Sequence, residues 1–236
     1  MRTAAVRREA SATQKAMSKP SRSGRPPKEL AGEVEQRILD AARKVFLDRG
    51  FEGASNEEIA QVARSGKPTI YARFPDKRAL FTAVVMSEIV SRIEHLEVDV
   101  PADATVEERL TIVGAVILRN ALEHDRIELV RLAMAEGRRF PDLAASLGRM
   151  ARDQATETGV RLLAAMAKSD ELGGLAAFAP ERFATTTRIF LDMLVLPLIV
   201  RALLGEKLEL LQAEIDPHVA RVVPFFLAGC RNGGID

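Results

Sequence analysis

The chain has 236 residues, of which 47% are hydrophobic and 28% charged, and its formal net charge is +1. This composition is typical of a soluble globular protein and excludes a polycation. The single cysteine, Cys230, excludes an internal disulfide, and the longest apolar run, Met193–Val200, is too short for a membrane span of about 20 residues. No signal peptide is evident, so we expect a cytoplasmic protein without membrane association.

The charge is unevenly distributed. Residues 1–80 contain 17 Lys/Arg and 10 Asp/Glu, whereas residues 81–236 contain 17 and 23. A basic first third and an acidic remainder predict that only the first third meets a polyanion.

Residues 1–30 are rich in Ser, Pro, Ala and basic residues, which predicts a disordered basic arm. Within it, Arg25 lies in a Gly-Arg-Pro sequence that could follow an A·T-rich minor groove. A solvated tail without a DNA contact is the alternative interpretation, and the sequence leaves it open.

The next helical signals lie close together. Apolar residues recur at helical spacing from about residue 30 to 49, and Gly50 is a typical helix stop. Ser55 followed by Glu58 forms a capping box that opens a short helix, with Ile59, Val62 and Ala63 expected on one side.

A turn at 64–66 separates this helix from another that has Pro68 in its first turn. Ile70 and Phe74, four residues apart, are expected to face inward. Residues 55–74 are thus predicted to form a helix-turn-helix, which places its second helix in the DNA major groove.

Sequence-specific DNA binding needs polar side chains that read base edges and donors that bind phosphates. Lys67, Pro68 and Thr69 occupy the N-terminal end of the second helix, where they could contact bases. The hydroxyl of Tyr71 and the ammonium of Lys77 could bind phosphates, and Ser55 adds a phosphate site at a helix N-terminus. The full predicted set of DNA-binding residues is Ser55, Arg64, Lys67, Pro68, Thr69, Tyr71, Arg73 and Lys77.

The rest of the chain also reads as helices, and no segment alternates like a strand. Asp76 is expected to cap a helix to about residue 98, and Thr105 one to about residue 124. Further helices are predicted at about 126–138, 141–168, 181–204 and 216–230. The predicted fold is all-α, with a basic arm (1–30), a helix-turn-helix domain (31–80) and a second helical domain (81–236).

Residues 33–86 resemble the DNA-binding domain of the TetR/AcrR family of transcriptional regulators. The matching residues are Ile38 to Ala42, Phe46, Gly50, Phe51, Ser55, Ile59, Ala60, Ala63, Lys67, Thr69 to Tyr71, Phe74, Lys77, Leu80 and Phe81. The resemblance implies an all-helical, dimeric regulator whose later helices bind a ligand and dimerise. The chain departs from the family at the turn, where Ala-Arg-Ser-Gly replaces the usual Ala-Gly-Val-Ser. Either Arg64 adopts a strained left-handed backbone, or Gly66 takes that role one residue later.

The segment 128–143, with 196–205, resembles the AefR-like subgroup of the family. We expect the last two helices to form the dimer interface, because the apolar residues of the penultimate helix cover more than one face. The predicted interface residues are Phe190, Leu194, Leu198, Val222 and Phe226, with core packing alone as the alternative. Pro197 is expected to kink the penultimate helix. A ligand pocket is predicted from Met134, Met150, Leu163, Met166 and Phe178, again with plain core as the alternative.

The sequence contains no catalytic motif, no phosphate-binding loop and no histidine spacing typical of a metal site, so we expect no enzyme activity, cofactor or metal. We expect a homodimeric repressor that binds a palindromic double-stranded DNA operator and responds to a small-molecule effector. An activator or co-regulator of the same fold, a ligand-binding protein with a vestigial DNA-binding domain, and a nonspecific architectural protein remain alternatives. The effector and the operator sequence are left open.

Overall fold

The computed structural model describes residues 28–94, 98–101, 103–167 and 175–233, and these residues form helices and connecting turns without a strand. One 3-10 turn at Ala176–Phe178 precedes the last two helices. The helices are α1 Lys28–Gly53, α2 Asn56–Val62, α3 Lys67–Tyr71, α4 Lys77–Glu94, α5 Val106–Ala121, α6 His124–Glu136, α7 Pro141–Ala167, α8 Phe183–Leu203 and α9 Leu208–Arg231. The all-α prediction is confirmed.

The buried apolar residues form two clusters. The N-terminal cluster is built from α1 to α4 around Phe46 and Phe81, whose ring centroids are 5.1 Å apart. The C-terminal cluster is built mainly from α5, α8 and α9. Helix α6 contributes to both, since Ile127 belongs to the C-terminal cluster and Leu129 to the N-terminal one.

The helix ends follow the predicted caps. Gly50 has φ 71°, so regular helix stops there and a further turn ends at Gly53. The amide of Ala79 donates to the Asp76 carboxylate at 2.7 Å. Thr105 and Glu108 form the reciprocal capping box: the amide nitrogen of Thr105 donates to the Glu108 carboxylate at 2.8 Å, and the amide nitrogen of Glu108 donates to the Thr105 hydroxyl at 3.2 Å.

Two boundaries differ from the prediction. Helix α1 begins at Lys28, inside the predicted arm, and Arg25 with the rest of the arm lies outside the described residues. Helix α9 begins at Leu208, eight residues before the predicted start, and continues through Pro217 and Pro224. An internal proline costs a helix about 3 kcal/mol. Burial of Leu211 and Ile215 on the N-terminal side of Pro217 offsets that cost.

The predicted dimer interface needs correction. Phe190, Leu194 and Leu198 are at most 1% exposed within a single subunit, and Val222 and Phe226 are also buried there. These five residues therefore form the subunit's own core and offer no surface to a partner.

The accessible apolar residues of α8 lie on its other side. Leu196, Val200 and Leu204 are 51%, 48% and 82% exposed. These exposed residues repeat every four positions, and so do the buried residues Phe190, Leu194 and Leu198. The two sets are offset by two positions, which places them about 200° apart around the helix. On α9 the large accessible apolar residues are Leu210 and Phe225, which are 56% and 73% exposed.

Helix α8 is the one described helix that is long and apolar enough to cross a membrane, with 33% of its apolar window buried. Length and composition alone are weak evidence, because a core helix of a soluble protein passes the same test. The helix is apolar on two faces, of which one lies in the subunit core and the other is exposed, and this explains its high hydropathy. Pro197 lies within the continuous helix α8.

Candidate DNA-binding interface

Helix α2 is fixed at its start and along one face. The Ser55 hydroxyl accepts a hydrogen bond from the amide of Glu58 at 3.1 Å, which is one half of the predicted capping box; the Glu58 carboxylate accepts from Arg49 at 3.4 Å. Ile59 is fully buried and Ala60 and Ala63 are buried beside it. Val62 was expected on this face but is 44% exposed, because the inward face of this short helix runs through Ile59, Ala60 and Ala63 instead.

The turn after α2 adopts the first of the two predicted conformations. Arg64 has φ 48° and is the one non-glycine residue with positive φ in the described part of the chain. Gly66 has φ −74° and serves as the N-cap of α3, so it does not take the left-handed role. The amide of Ser65 donates to the carbonyl of Ala60 at 2.9 Å, which closes the turn.

Arg37 of α1 supports the same turn, and the sequence did not predict this contact. Its Nε donates to the carbonyl of Ala63 at 2.9 Å. The two residues are 26 positions apart, and a helix-surface arginine gives no local signal of such a partner.

Helix α3 is five residues long and is anchored by its inward side chains. Ile70 is 1% exposed and Phe74, just after the helix, is 7% exposed. Both lie in the N-terminal cluster together with Ile59. The predicted anchoring of the second helix against the first is confirmed.

The opposite side of α3 is accessible. Lys67 and Pro68 are exposed at its N-terminal end, and Thr69 is half-buried next to them. Tyr71 is 48% exposed, and its hydroxyl accepts a hydrogen bond from the Asn56 amide at 3.1 Å. Because the hydroxyl accepts in this bond, its own proton remains available to a phosphate.

Lys67 is paired with an acid. Its ammonium lies 2.5 Å from a carboxylate oxygen of Glu57, and both side chains are about half exposed or more. The hydrogen bond from Lys67 is the main reason why the pKa of Glu57 is lowered from its ordinary value. The Glu57 carboxylate reduces the positive charge that Lys67 presents at this end of α3, but two donors of the ammonium remain.

Lys77 is partly engaged within the subunit. Its ammonium donates to the carbonyls of Glu52 (3.2 Å) and Ala54 (3.1 Å) and lies 4.8 Å from the centre of the Phe51 ring. An ammonium has three donors, so one remains for a phosphate. Arg73 donates to the carbonyl of Thr69 at 3.3 Å, and the side chain of Arg64 is exposed.

The described residues bring together only part of the predicted ligand pocket. Leu163 and Phe178 are buried in the C-terminal cluster, whereas Met134 and Met150 are 60% and 48% exposed. The side chain of Met166 lies outside the described residues. A cleft of about 510 Å³ lies elsewhere, between α1 and α6, and is lined largely by charged side chains, including Arg43, Asp125 and Glu128.

Helix α3 is held by the buried Ile70 and Phe74, its N-terminal end is polar and accessible, and basic side chains lie around it. This arrangement is that of a helix-turn-helix DNA-binding protein. A family model described as "Bacterial regulatory proteins, tetR family" matches residues 38–84. A second, described as "AefR-like transcriptional repressor, C-terminal domain", matches residues 108–230, just over half of the chain. The chain therefore belongs to the TetR family of transcriptional regulators and has an AefR-like C-terminal domain.

Individual relatives agree with this assignment. The chain is 30% identical over 111 residues to the HTH-type transcriptional regulator UidR of Escherichia coli K12 and 29% identical over 110 residues to the uncharacterised regulator YvkB of Bacillus subtilis. Each match covers 47% of this chain, and the chain spans 55% and 56% of the two relatives. It is also 40% identical over 52 residues, 22% of its length, to the transcriptional activator FasR of Mycolicibacterium smegmatis, of which 24% is covered.

Solved structures share the whole fold. A putative TetR-family regulator from Mesorhizobium loti superposes with a TM-score of 0.68 at 22% identity, covering 84% of this chain and 96% of that one. The flavonoid-responsive regulator FrrA superposes with a TM-score of 0.59 at 25% identity, covering 84% and 97%.

Proposed function

We propose that the protein is a ligand-responsive repressor that binds a palindromic operator as a homodimer in the cytoplasm. The observation that carries the proposal is the accessible N-terminal end of α3, held outward by the buried Ile70 and Phe74. Lys67, Pro68 and Thr69 read bases in the major groove, and Ser55, Tyr71 and Lys77 bind phosphates. Arg64 and Arg73 add positive charge, and Arg25 follows the minor groove.

Dimerisation is supported by the exposed apolar residues of the last two helices. Leu196, Val200 and Leu204 form one stripe on α8, and Phe225 is exposed on α9. Two such helices from each subunit pack into a four-helix interface of two-fold symmetry. A two-fold pair of recognition helices about 34–36 Å apart reads the two halves of a palindrome.

Repression is supported by the match of residues 108–230 to a domain described as that of a transcriptional repressor. Activation is the second candidate, because the DNA-binding region is also similar to that of an activator, FasR. A reporter fused to the selected operator separates the two: deletion of the regulator raises expression if it represses and lowers it if it activates.

An effector that binds the helical C-terminal domain is supported by the family and by the similarity to a flavonoid-responsive regulator. Such an effector shifts operator binding only through its different affinity for the bound and released conformations. A panel of flavonoids is the first choice of probe, with loss of operator binding as the readout.

The proposal is tested by sequencing genomic fragments that the purified protein retains. Recovery of one palindromic sequence supports it, and equal retention of random DNA would favour a nonspecific architectural protein. On the recovered operator, Thr69→Ala or Tyr71→Ala should abolish the gel shift while the dimer persists. Binding should also weaken steeply as salt rises, since phosphate contacts release counterions. Unchanged operator affinity in both variants would contradict the assignment of α3.

A further inference from the structure

The short connection between α6 and α7 reaches out of the C-terminal domain to the DNA-binding domain. It consists of Gly137 to Phe140, and Pro141 begins α7. The amide of Phe140 donates to the carbonyl of Glu136 at 2.9 Å, which fixes the connection at the end of α6. The Phe140 side chain is half-buried against the N-terminal cluster. A residue of the predicted regulatory half is thus part of the DNA-binding core.

Phe140 makes an aromatic contact with the segment just before the helix-turn-helix. Its ring centroid lies 5.8 Å from that of Phe51, with the planes at 73°. The guanidinium of Arg78, at the start of α4, lies 5.6 Å from the centre of the Phe140 ring. Edge-to-face aromatic pairs and cation–π contacts both favour one ring orientation over others, so Phe140 docks in a defined position.

Arg139 adds a charged contact to the same segment. Its guanidinium forms an ion pair with the carboxylate of Glu52. Both side chains are more than half exposed, so the pair is weak by itself and acts mainly by orienting the connection.

Phe51 and Glu52 are held from a second direction by Lys77. The Lys77 ammonium lies over the Phe51 ring and bonds to the carbonyls of Glu52 and Ala54. Ala54 directly precedes Ser55, the N-cap of α2. The turn that leads into the helix-turn-helix is therefore clamped between the start of α4 and the α6–α7 connection.

We propose that Phe140 and Arg139 are positioning residues for DNA binding. They hold the turn at residues 51–54, and through it the start of α2, in the geometry that the operator requires. Holding that geometry in advance reduces the conformational entropy lost on binding. The inference rests on DNA binding by the helix-turn-helix, and it does not require the effector response.

Hydrogen exchange of the full-length protein tests the clamp without DNA. Phe140→Ala should accelerate amide exchange at residues 51–63 and leave the amides of α5 and α9 unchanged. Phe140→Tyr keeps the ring and should exchange like the wild type. Unchanged exchange at residues 51–63 in Phe140→Ala would overturn the inference, and so would uniform acceleration along the chain, which is the sign of global destabilisation.

The effect on DNA binding is measured with the duplex that the wild-type protein enriches most from a random library. Phe140→Ala should weaken binding by about twofold to twelvefold, the range that corresponds to the free energy of one aromatic contact. The dependence of affinity on salt should not change, because no phosphate contact is lost. If Arg139→Ala instead lowers the salt slope by about 0.9, Arg139 binds a phosphate directly and its positioning role is refuted.

A charge reversal separates the ion pair from a general charge effect. Arg139→Glu should weaken binding by about twofold to fivefold, and adding Glu52→Arg should restore it. Arg138→Glu makes the same charge change at the exposed neighbouring residue and serves as the matched control. Equal losses in Arg138→Glu and Arg139→Glu, without rescue by Glu52→Arg, would refute the pair. Failure of the wild-type protein to enrich any duplex would refute the proposed operator binding, and hydrogen exchange would still decide the clamp.

Discussion

The left-handed backbone of Arg64 is open to a direct test. Arg64 has φ 48° in the turn between α2 and α3, and its side chain is exposed. A β-carbon in this conformation is crowded by the following carbonyl oxygen, whereas glycine has no such carbon. Arg64→Gly should therefore remove strain, and Arg64→Ala should keep it. Both variants lose the same charge, so the comparison between them isolates the backbone.

The expected difference in unfolding free energy between the two variants follows from two opposing effects, backbone strain in the folded state and chain freedom in the unfolded state. The left-handed conformation costs a non-glycine residue roughly 1–2 kcal/mol. Glycine also adds freedom to the unfolded chain, which costs about 0.4–1 kcal/mol relative to alanine. The free energy of unfolding is therefore expected to be about 1 kcal/mol higher for Arg64→Gly than for Arg64→Ala. For a chain of this size that corresponds to about 2–4 °C in Tm.

Urea denaturation at equilibrium measures the difference. The two variants must show the same dependence of unfolding free energy on urea, so that a change in midpoint reports stability alone. If Arg64→Gly is no more stable than Arg64→Ala, the turn is not strained at this residue. Operator affinity should fall equally in both variants if Arg64 contributes only its charge.

Two further predictions concern the C-terminal domain. Leu204→Glu should dissociate the dimer while the subunit stays folded, because Leu204 is 82% exposed in one subunit and the new charge is buried only in the interface. Sedimentation should show monomers, and Leu204→Ala should have a smaller effect. An intact Leu204→Glu dimer would contradict the proposed face. Arg201 hydrogen-bonds to Glu206 and Glu214 and lowers the pKa of both carboxyls from the ordinary value of 4.5. Groups with lowered folded-state pKa values stabilise the protein above their ordinary pKa and lose that contribution as the pH falls. The stability difference between the wild type and Glu214→Gln should therefore be present at neutral pH and shrink below about pH 4.5; a difference that stays constant in acid would refute this account.

Local signals predicted the DNA-binding domain well. The Ser55 cap and the Ile70 and Phe74 spacing depend on residues three or four apart, and such short-range patterns are strongly set by helix geometry. The same holds for the Thr105 capping box, which the structure reproduces in both directions. Contacts such as that of Arg37 with the carbonyl of Ala63 depend on the tertiary fold, and no short pattern encodes them.

The proposed dimer face could not be predicted from the same kind of pattern. Helix α8 has one apolar ladder through Phe190, Leu194 and Leu198 and another through Leu196 and Val200. Both repeat every four residues and both are apolar, so the sequence cannot say which one faces the subunit core. Only the position of α8 against α5 and α9 decides this, and it buries the first ladder.

The helices of the N-terminal cluster contact the rest of the chain in two places: α4 packs along α7, and α6 packs against α1 and α4. The guanidinium of Arg43 in α1 forms ion pairs with Glu88 of α4 and Asp125 of α6. Leu129, in the middle of α6, is buried in the N-terminal cluster. Arg131, two residues later, donates to the carbonyl of Ala202 near the end of α8. Helix α6 is thus bonded at one end to the DNA-binding domain and further along to the helix proposed to dimerise. A change in the packing of α8 would therefore act on α6 through Arg131, and on the N-terminal cluster through Leu129. The proposed palindromic operator would fix the separation of the two recognition helices, so a displacement of α6 in each subunit would change operator affinity.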